Sequence, residues 1–547
     1  HFLFLTCYSQ PKLVVGIVVD QMRYDYIDKY WNKFGNDGFK RLVNEGYNCK
    51  NTNYNYVPTY TAPGHASVYT GTTPSEHGII SNEWVDKTTY NKTYCVYDEE
   101  VNSVGTNGSV GKMSPKNLIL NTVGNELRLS NQNSSKVIGI ALKDRGAVLP
   151  AGHKANAAYW FDGASGNWIT SSYYMKALPS WVSEFNKKES VKKYLSQQWN
   201  TLLPIEQYTE SDADDNNCEV PFNGKERAVF PYDLPALMKD NGGLGLIRST
   251  PFGNSYTNDF SIETIKNEKL GKGDASDFLC ISFSSPDYIG HQFGPQSIEV
   301  EDCYLRLDND IAELLKFLDE WVGKNNALVF LTADHGASEA VPCLQKKNMD
   351  AGVVHEKMIS DSLKKFLLTT FKDTIRLVVN DFGVYFDRKK IEAKKYNFNE
   401  VKKCAAAYLI KLNGIADAMT SDEIQAGSFS APADSIAWTG AATGGRRVFS
   451  WADPDTATNG YSGPHNALSP ASKLAKINNY GQSIGGPAEC RWTVNNCGPN
   501  DEAFSFHTGG VMAVMGDGSV KFIRHSITKV QMRNFATPAG GEVNNFD

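Results

Sequence analysis

Four segments of the chain are almost continuously apolar, and polar residues follow each of them closely. They are residues 12–20, 136–142, 277–283 and 327–332. An apolar run of this length without alternation is typical of a strand that is buried on both faces of a parallel sheet. The pattern therefore predicts four strands of one mainly parallel sheet.

A helical pattern separates the third of these strands from the fourth. Apolar residues recur every three or four positions from Ile298 to Val322, and Pro295 just before them is a helix start signal. Strands that alternate with helices indicate an α/β fold with a mainly parallel central sheet flanked by helices. In such sheets ligands bind outside the carboxyl ends of the strands.

Three parts of the chain depart from this pattern. Residues 1–11 resemble the end of an apolar signal peptide, so we expect an exported protein, periplasmic or secreted; lipid modification of Cys7 is a less favoured alternative, because Thr6 precedes it. Residues from about 150 to 250 are rich in aromatic side chains without a clear period, and we expect an inserted cap there. Residues 428–547 are rich in Gly, Asn, Ala and Ser and are predicted to form a separate tail unit.

Composition excludes several classes of protein. The 547 residues carry a net charge of −6 with a sequence pI of about 6.0, so there is no overall basic field to hold nucleic acid. The longest apolar run, residues 13–19, is far shorter than the roughly 20 residues that a membrane-spanning helix needs. We expect no transmembrane segment and no nucleic-acid partner, and a local positive site for any anionic substrate.

Residues just after three predicted strands have the chemistry of metal ligands. Asp20, Asp287 and Asp334 follow these strands, His335 is adjacent to Asp334, and His291 is one helical turn beyond Asp287. Any one of them alone is more simply explained as a helix cap. Five in matching positions weaken that explanation, and a mixture of imidazole and carboxylate favours zinc over calcium or magnesium.

A hydroxyl residue precedes a predicted helix that begins near Pro63. A helix N-terminus offers unpaired N–H groups and a partial positive charge, which favour an ionised oxygen or a bound phosphate. A hydroxyl becomes a good nucleophile when a base or a metal lowers its pKa. Chemistry alone does not rank Thr59 above or below Thr61.

Two cations and an amide are candidate anion-binding residues. Lys143 and Arg145 alternate across Asp144 at the end of a predicted strand, so we expect their side chains to point to one face. A solvated surface pair is the ordinary alternative. Asn82 lies in a predicted turn and is a candidate donor to a substrate oxygen.

Six motifs resemble those of the alkaline phosphatase superfamily. They are VVGIVVDQMRYD (residues 14–25), VPTYTAPGHAS (57–67), HGIISN (77–82), LKDR (142–145), PDYIGHQFGP (286–295) and TADHG (332–336). Residues from about 12 to 425 are similar to the periplasmic, phosphate-irrepressible alkaline phosphatases that use a Thr nucleophile. The resemblance implies a catalytic domain over residues 12–427, two zinc ions, and hydrolysis of small phosphate monoesters through a phospho-threonine intermediate.

The resemblance also implies roles for individual residues. Thr61 is the expected nucleophile. Four residues are expected around one zinc ion: Asp20, Thr61, Asp334 and His335. Two are expected at the other: Asp287 and His291. Three are expected to hold the non-transferred phosphate oxygens: Asn82, Lys143 and Arg145. The family's second zinc site takes a further His from a C-terminal segment that is not found in this sequence, and His465 is the tail His nearest to that position.

The tail resembles a different family. From about residue 430 the chain is similar to the C-terminal part of a planctomycete-type pilin-like family, whose signature is a His followed after nine residues by Asp-Gly. Here these are His507 and the pair Asp517 and Gly518. The chain therefore resembles a fusion of a phosphatase with a foreign tail.

Two alternative functions remain from the sequence. One is a nucleotide phosphodiesterase or pyrophosphatase of the same superfamily, and the other is a catalytically inactive surface or assembly protein. Lys143 and Arg145 favour a monoesterase, because a phosphate monoester presents a dianionic end that two cations can hold. A sulfatase is disfavoured, because Thr61 cannot form the aldehyde that those enzymes use.

Overall fold

The computed structural model describes residues 10–50, 52–349, 351–381, 383–415, 417–425, 510–514 and 520–524. The chain divides into two compact units, His1–Ala418 and Met419–Asp547. The strands of the described residues are β1 Leu13–Val19, β2 Glu83–Val85, β3 Lys92–Tyr94, β4 Ser103–Val104, β5 Val137–Ala141, β6 Ala157–Asp162, β7 Asn167–Ser171, β8 Gln198–Trp199, β9 Tyr232–Asp233, β10 Asp277–Phe283, β11 Ala327–Thr332, β12 Leu377–Asn380, β13 Gly383–Phe386, β14 Gly510–Val514 and β15 Val520–Arg524.

The helices of the described residues cover both faces of the main sheet or lie in the connections. They are α1 Tyr26–Lys29, α2 Phe39–Glu45, α3 Thr61–Thr70, α4 Pro74–His77, α5 Val123–Ser130, α6 Asp144–Ala151, α7 Ser180–Lys187, α8 Ser190–Leu195, α9 Leu234–Leu237, α10 Phe252–Glu268, α11 Ser285–Phe293, α12 Ile298–Val322, α13 Val341–Lys346, α14 Glu356–Phe371, α15 Arg388–Ala393, α16 Phe398–Leu409 and α17 Ser421–Gln425. None of these described helices combines the length and the apolar character that crossing a membrane requires.

The first unit contains a seven-stranded sheet with the order β11-β1-β10-β5-β6-β7-β4. The strands from β11 to β6 run parallel, and β7 and β4 are antiparallel to their neighbours. The four strands predicted from the sequence are β1, β5, β10 and β11, and the predicted helix is α12. The α/β fold with a mainly parallel sheet is therefore confirmed.

The continuous apolar character of β1 follows from its burial on both faces. Leu13, Val15, Ile17 and Val19 pack into the core beneath α10 and α12. Val18 packs on the opposite face, where it joins residues of α3. Successive side chains of a strand point to opposite faces, so a strand with a core on each side has no polar positions to alternate with.

Part of the predicted cap belongs to the central sheet. Residues 157–171 form β6 and β7, which extend the sheet beyond β5. Every residue of β6 is buried, and Trp168 of β7 stacks on Phe260 of α10 with ring centroids 4.3 Å apart. The aromatic residues lack a period because they too are covered on both faces. A disulfide between Cys218 and Cys343 links the following loop region to α13.

A smaller module of the first unit has a core of its own. We call residues 356–409 the hairpin module; it comprises α14, the antiparallel hairpin β12–β13, α15 and α16. Its buried core residues are Leu363, Leu367, Ile375, Leu377, Phe386, Ile391, Val401 and Ala405. In the second unit the structure describes α17 and the antiparallel hairpin β14–β15.

Helix α3 approaches the loop after β11 very closely at Gly64. A Cβ atom placed on Gly64 would lie 2.1 Å from the backbone oxygen of Asp334, which is far inside van der Waals contact. Only a residue without a side chain allows α3 and this loop to come so close. The packing therefore fixes the N-terminus of α3 against the carboxyl end of β11.

We predict that Gly64→Ala destabilises the protein by about 1 to 3 kcal/mol, because the added methyl group must push α3 away from the loop. This loss exceeds the gain of about 1 kcal/mol that Ala normally brings to a helix. Urea unfolding measures the difference. Gly273→Ala is the control, since a Cβ at Gly273 meets nothing within 4 Å. A Gly64→Ala protein as stable as the wild type would contradict the packing argument.

Candidate active site

Acidic residues meet where three neighbouring strands end. Asp20 follows β1, Asp287 lies in the first turn of α11 after β10, and Asp334 lies just beyond β11. Because β11, β1 and β10 are adjacent and parallel, their carboxyl ends lie side by side. One ligand atom each from Asp20, Asp287 and His335 lies within 4.8 Å of the others, which is close enough to share a metal ion.

The carboxylate of Asp20 is buried without the hydrogen bonds that a buried charge needs. Neither of its oxygens accepts a well-directed hydrogen bond from the described residues, and the same is true of Oδ2 of Asp334. Burial, reinforced by the negative charge of Asp334, raises the pKa of Asp20 to about 7. A bound cation would remove this cost, so the donor set fits a metal ion.

Lys143 supplies a positive charge inside this cluster. Its Nζ lies 2.7 Å from Oδ2 of Asp20 and 2.6 Å from Oδ2 of Asp287, and it donates a hydrogen bond to Oγ1 of Thr61 at 3.3 Å. Burial lowers the pKa of Lys143, but the two carboxylates outweigh it and the pKa is raised. Burial likewise raises the pKa of Asp287, yet Lys143 and His291 hold that pKa well below its usual range.

Thr61 is the first residue of α3 and is almost fully buried. Its Oγ1 lies 3.4 Å from Nε2 of His335. Nδ1 of His335 lies 2.8 Å from the backbone oxygen of Gly336, which can only accept, so Nδ1 carries the proton of the neutral ring. In the neutral form, which a metal ligand requires, Nε2 carries no proton and faces Thr61 and Asp20. Burial lowers the pKa of His335, but Asp334 and Asp20 outweigh it and the pKa is raised.

His65 is a site residue that the sequence analysis missed. Its Nδ1 donates to the backbone oxygen of Thr61 at 2.8 Å and lies 3.1 Å from Oδ2 of Asp334. Its Nε2 is 2.9 Å from the hydroxyl of Ser282, which is able to donate to it. Burial raises the pKa of Asp334, but His335 and His65 hold it well below its usual range. The spacing of four residues between Thr61 and His65 on a helix was the available signal.

Gln21 is a second residue that the sequence analysis missed. Its backbone N–H donates to Asp334 at 3.1 Å, and its side-chain amide donates to Asp287 at 2.9 Å. Gln21 has a φ of 63°, a left-handed conformation that costs a non-glycine residue about 1 kcal/mol or more. Gly290 makes room for it, because a Cβ there would lie 2.0 Å from Oε1 of Gln21.

Arg145 is oriented by a helix rather than by a strand. Strand β5 ends at Ala141 and α6 begins at Asp144, so the predicted alternation of Lys143 and Arg145 along a strand is wrong. Nη1 of Arg145 donates to the hydroxyl of Tyr94 at 3.1 Å, and Tyr94 donates to Asp144 at 2.6 Å. Arg145 still lies close enough to Lys143 and Asp20 to influence the pKa of Lys143.

Asn82 lies beside the N-terminus of α3. Its Oδ1 accepts a hydrogen bond from the backbone N–H of Ala62 at 2.8 Å, which fixes the orientation of the amide. The amide NH₂ group has no hydrogen-bond partner among the described residues. It is therefore free to donate to an oxygen bound next to Thr61.

His291 marks the open side of the site. Its Nε2 lies 3.2 Å from Oδ1 of Asp287, and its side chain is 73% exposed. Within the described part of the chain, the only three His, Cys, Asp or Glu side chains close enough to share an ion are Asp20, Asp287 and His335. His465 and His507 lie outside the described residues.

Comparison with known proteins assigns most of the chain to one family. The type I phosphodiesterase / nucleotide pyrophosphatase family matches residues 14–435. A protein of Myroides odoratus named calcium-transporting ATPase is 47% identical over 419 residues, 76% of each chain. Alkaline phosphatase PhoV of Synechococcus elongatus is 45% identical over 75% of this chain and 74% of its own.

A solved structure is similar in fold and in sequence. Alkaline phosphatase PafA of Elizabethkingia meningoseptica is 45% identical over 77% of this chain and 78% of its own. The crystal structure of PafA superimposes with a TM-score of 0.74 and covers 78% of this chain and 81% of that chain. A second family, described as a protein of unknown function (DUF1559), matches residues 426–529.

We predict that Asp20→Asn stabilises the metal-free protein at about pH 8 by at least about 1 kcal/mol, because it removes a buried charge whose pKa is raised. The folded wild type holds a proton on Asp20 that the unfolded chain releases, so stability from this group falls as pH rises from about 4 to about 7. The advantage of the variant should disappear near pH 4.

Chemical unfolding in the presence of a chelator measures this difference. Asp334→Asn is the matched control, since the pKa of Asp334 is lowered and its charge contributes stability that is lost as pH falls. The control should be less stable than the wild type at about pH 8. Equal destabilisation by both substitutions would contradict the assignment of Asp20 as the uncompensated carboxylate.

Proposed function

The chain belongs to the type I phosphodiesterase / nucleotide pyrophosphatase family, and we propose that residues 12–427 form an alkaline phosphatase that hydrolyses phosphate monoesters through a phospho-Thr61 intermediate. The observation that carries this proposal is the position of Thr61, at the N-terminus of α3 beside the cluster of Asp20, Asp287 and His335. Two of the three relatives described are alkaline phosphatases by name. The name of the third, an ATPase, also denotes a reaction that releases phosphate.

We propose zinc as the cofactor, with two ions. The first would be held by Asp20, Thr61, Asp334 and His335, and the second by Asp287 and His291. Both oxygens of Asp20 and Oδ2 of Asp334 accept no well-directed hydrogen bond from the described residues, and Nε2 of His335 carries no proton in the neutral ring; these observations support the assignment. Bound zinc would lower the pKa of a coordinated hydroxyl or water and neutralise charge on the leaving oxygen.

The residues of the chain supply the nucleophile and hold the phosphate. The Oγ1 of Thr61 forms a bond to phosphorus while the bond to the leaving alcohol breaks, and water then releases phosphate from Thr61. The N-terminus of α3 favours negative charge at this point. The free amide of Asn82 donates to a non-bridging oxygen of the phosphoryl group, and Lys143 and Arg145 offset the negative charge of the other non-bridging oxygens.

The same two cations distinguish a monoesterase from a phosphodiesterase. A monoester end carries two negative charges, whereas a diester carries one charge and a second substituent. The family as a whole includes phosphodiesterases, so nucleotide phosphodiesterase activity is the second candidate function. Buried cations at the site favour the more highly charged substrate.

Two further features are the C-terminal tail and the cellular location. We propose that residues 428–547 form a separate tail unit, consistent with the second family that matches residues 426–529. We also propose a periplasmic or secreted protein. The disulfide between Cys218 and Cys343 is in keeping with an oxidising compartment.

The first test measures hydrolysis of p-nitrophenyl phosphate with and without metal. We expect a strong chelator to abolish activity and zinc to restore it. Thr61→Ala should lower kcat by several powers of ten and prevent phosphate labelling of the protein at low pH. Thr59→Ala, which changes the neighbouring hydroxyl, should still be labelled. Full activity in metal-stripped protein, or labelling of Thr61→Ala, would show that the mechanism is wrong.

The second test compares phosphate monoesters with diesters. We expect Lys143→Ala/Arg145→Ala to lower kcat/KM for the monoester far more than for the diester. One charge-assisted contact contributes roughly 1.5 to 3 kcal/mol, which is about tenfold to a hundredfold in rate. The single variant Arg145→Ala keeps the ion pairs that Lys143 makes with Asp20 and Asp287. It therefore measures the loss of a substrate contact without the loss of those ion pairs. Equal losses on both substrates would assign the two cations to structural support.

A further inference from the structure

The tip of the hairpin module contacts the active-site loop on both sides of Asn82. The hydroxyl of Ser81 donates to Oδ2 of Asp381 at 2.7 Å. The side-chain amide of Asn380 donates to the backbone oxygen of Glu83 at 3.1 Å and to Oδ2 of Asp381 at 3.3 Å. One short segment of a separate module therefore binds the residue before Asn82 and the residue after it.

These hydrogen bonds are partly buried. Ser81 is 6% exposed and Asn380 is 5% exposed, so water competes weakly for their polar groups. Asp381 has a φ of 50°, a left-handed conformation that is unfavourable for a residue with a side chain. Asp381 therefore has a strained backbone conformation at the position that places its carboxylate beside Ser81.

The packing of the hairpin module restricts the movement of its tip. Hairpin β12–β13 packs into the core of the module, which is independent of the core beneath the main sheet. A second contact anchors the module near the same loop, since the backbone N–H of Arg388 donates to the hydroxyl of Tyr90 at 3.0 Å. A contact made from a packed hairpin fixes a position more firmly than one made from a free loop.

The hydrogen bonds that Asn82 itself makes do not hold its backbone on every side. The position of its amide therefore also depends on the residues before and after it. Its Oδ1 accepts from Ala62, and its backbone oxygen accepts from the N–H of Cys95 at 3.0 Å. A displacement of the loop by a fraction of an ångström would move the donating NH₂ group relative to Thr61. Misplacement of a binding group by about 1 Å can cost about a hundredfold in rate.

We propose that Asn380 and Asp381 are positioning residues for Asn82, and that the hairpin module sets the geometry with which Asn82 meets the transferred phosphoryl group. This inference rests on the proposed function, in which the amide of Asn82 contacts the substrate. Asp381 acts through Ser81, and Asn380 acts through the backbone of Glu83.

The test is a double-mutant cycle on p-nitrophenyl phosphate. We expect Asp381→Ala to lower kcat/KM by about tenfold in the otherwise wild-type enzyme, because Asn82 would be displaced by less than the roughly 1 Å that can cost about a hundredfold. In the background of Asn82→Ala, the same substitution should cost no more than about twofold. Asp381→Asn keeps a side-chain oxygen that can accept from Ser81, and it should recover most of the activity.

Controls separate positioning from folding. Asp373→Ala removes an exposed carboxylate of the same module that pairs with Lys394, and it should leave kcat/KM unchanged. Thermal unfolding and bound zinc are measured for every variant. If Asp381→Ala does not fold, Ser81→Ala removes the same hydrogen bond from the other partner and should show the same dependence on Asn82.

The outcomes distinguish this inference from the proposed function. If Asn82→Ala retains wild-type kcat/KM, the amide does not contact the substrate, and both the role of Asn82 and its positioning are wrong. If Asn82→Ala is impaired while Asp381→Ala is not, positioning alone is overturned. It is also overturned if Asp381→Ala costs the same in both backgrounds, or if Asp381→Asn fails to recover activity.

Discussion

The burial of three carboxylates at adjoining strand ends is the constraint on which the rest of the site depends. Removing a carboxylate from water costs several kcal/mol unless opposite charge or hydrogen bonds replace the water. Asp287 and Asp334 accept hydrogen bonds from such partners, whereas Asp20 accepts no well-directed hydrogen bond from the described residues and lies beside the ammonium of Lys143 and Nε2 of His335. The pocket thus carries an excess of negative charge, and this excess gives it affinity for cations.

The residues around the carboxylates are arranged to keep that excess in place. Gln21 accepts an unfavourable backbone conformation in order to donate to both Asp287 and Asp334. His65 lies between Asp334 and Ser282, with Nδ1 3.1 Å from Oδ2 of Asp334 and Nε2 2.9 Å from the hydroxyl of Ser282. Lys143 is shared between the carboxylates of Asp20 and Asp287. Its charge becomes available to a substrate phosphate only when other cations pair with those carboxylates.

The sequence predicted the parts of this arrangement that depend on local patterns. Four strands were evident because burial on both faces leaves a continuous apolar run, and Asp20, Asp287 and Asp334 were evident because parallel strands end together. Strands β6 and β7 were missed, since their aromatic residues have no period that separates a sheet strand from a cap. The direction of Arg145 was wrong because strand β5 ends earlier than the apolar run suggests. The contacts of Gln21 and Asp381, and those of His65 with Asp334 and Ser282, join segments far apart in the chain, and no local pattern encodes them.

The position of β1 in the sheet also has a consequence for biosynthesis. Strand β1 is made before both of its neighbours, β10 and β11: Leu13 pairs with Asp277 on one side and with Ala327 on the other. During synthesis from the N-terminus, β1 must remain without either neighbour until the chain has been made as far as β10. Such long-range parallel pairing is slow to form and exposes an apolar strand in the meantime. The nascent chain must therefore avoid aggregation through the exposed strand β1. A chain truncated before β10 would contain neither strand with which β1 pairs in this fold.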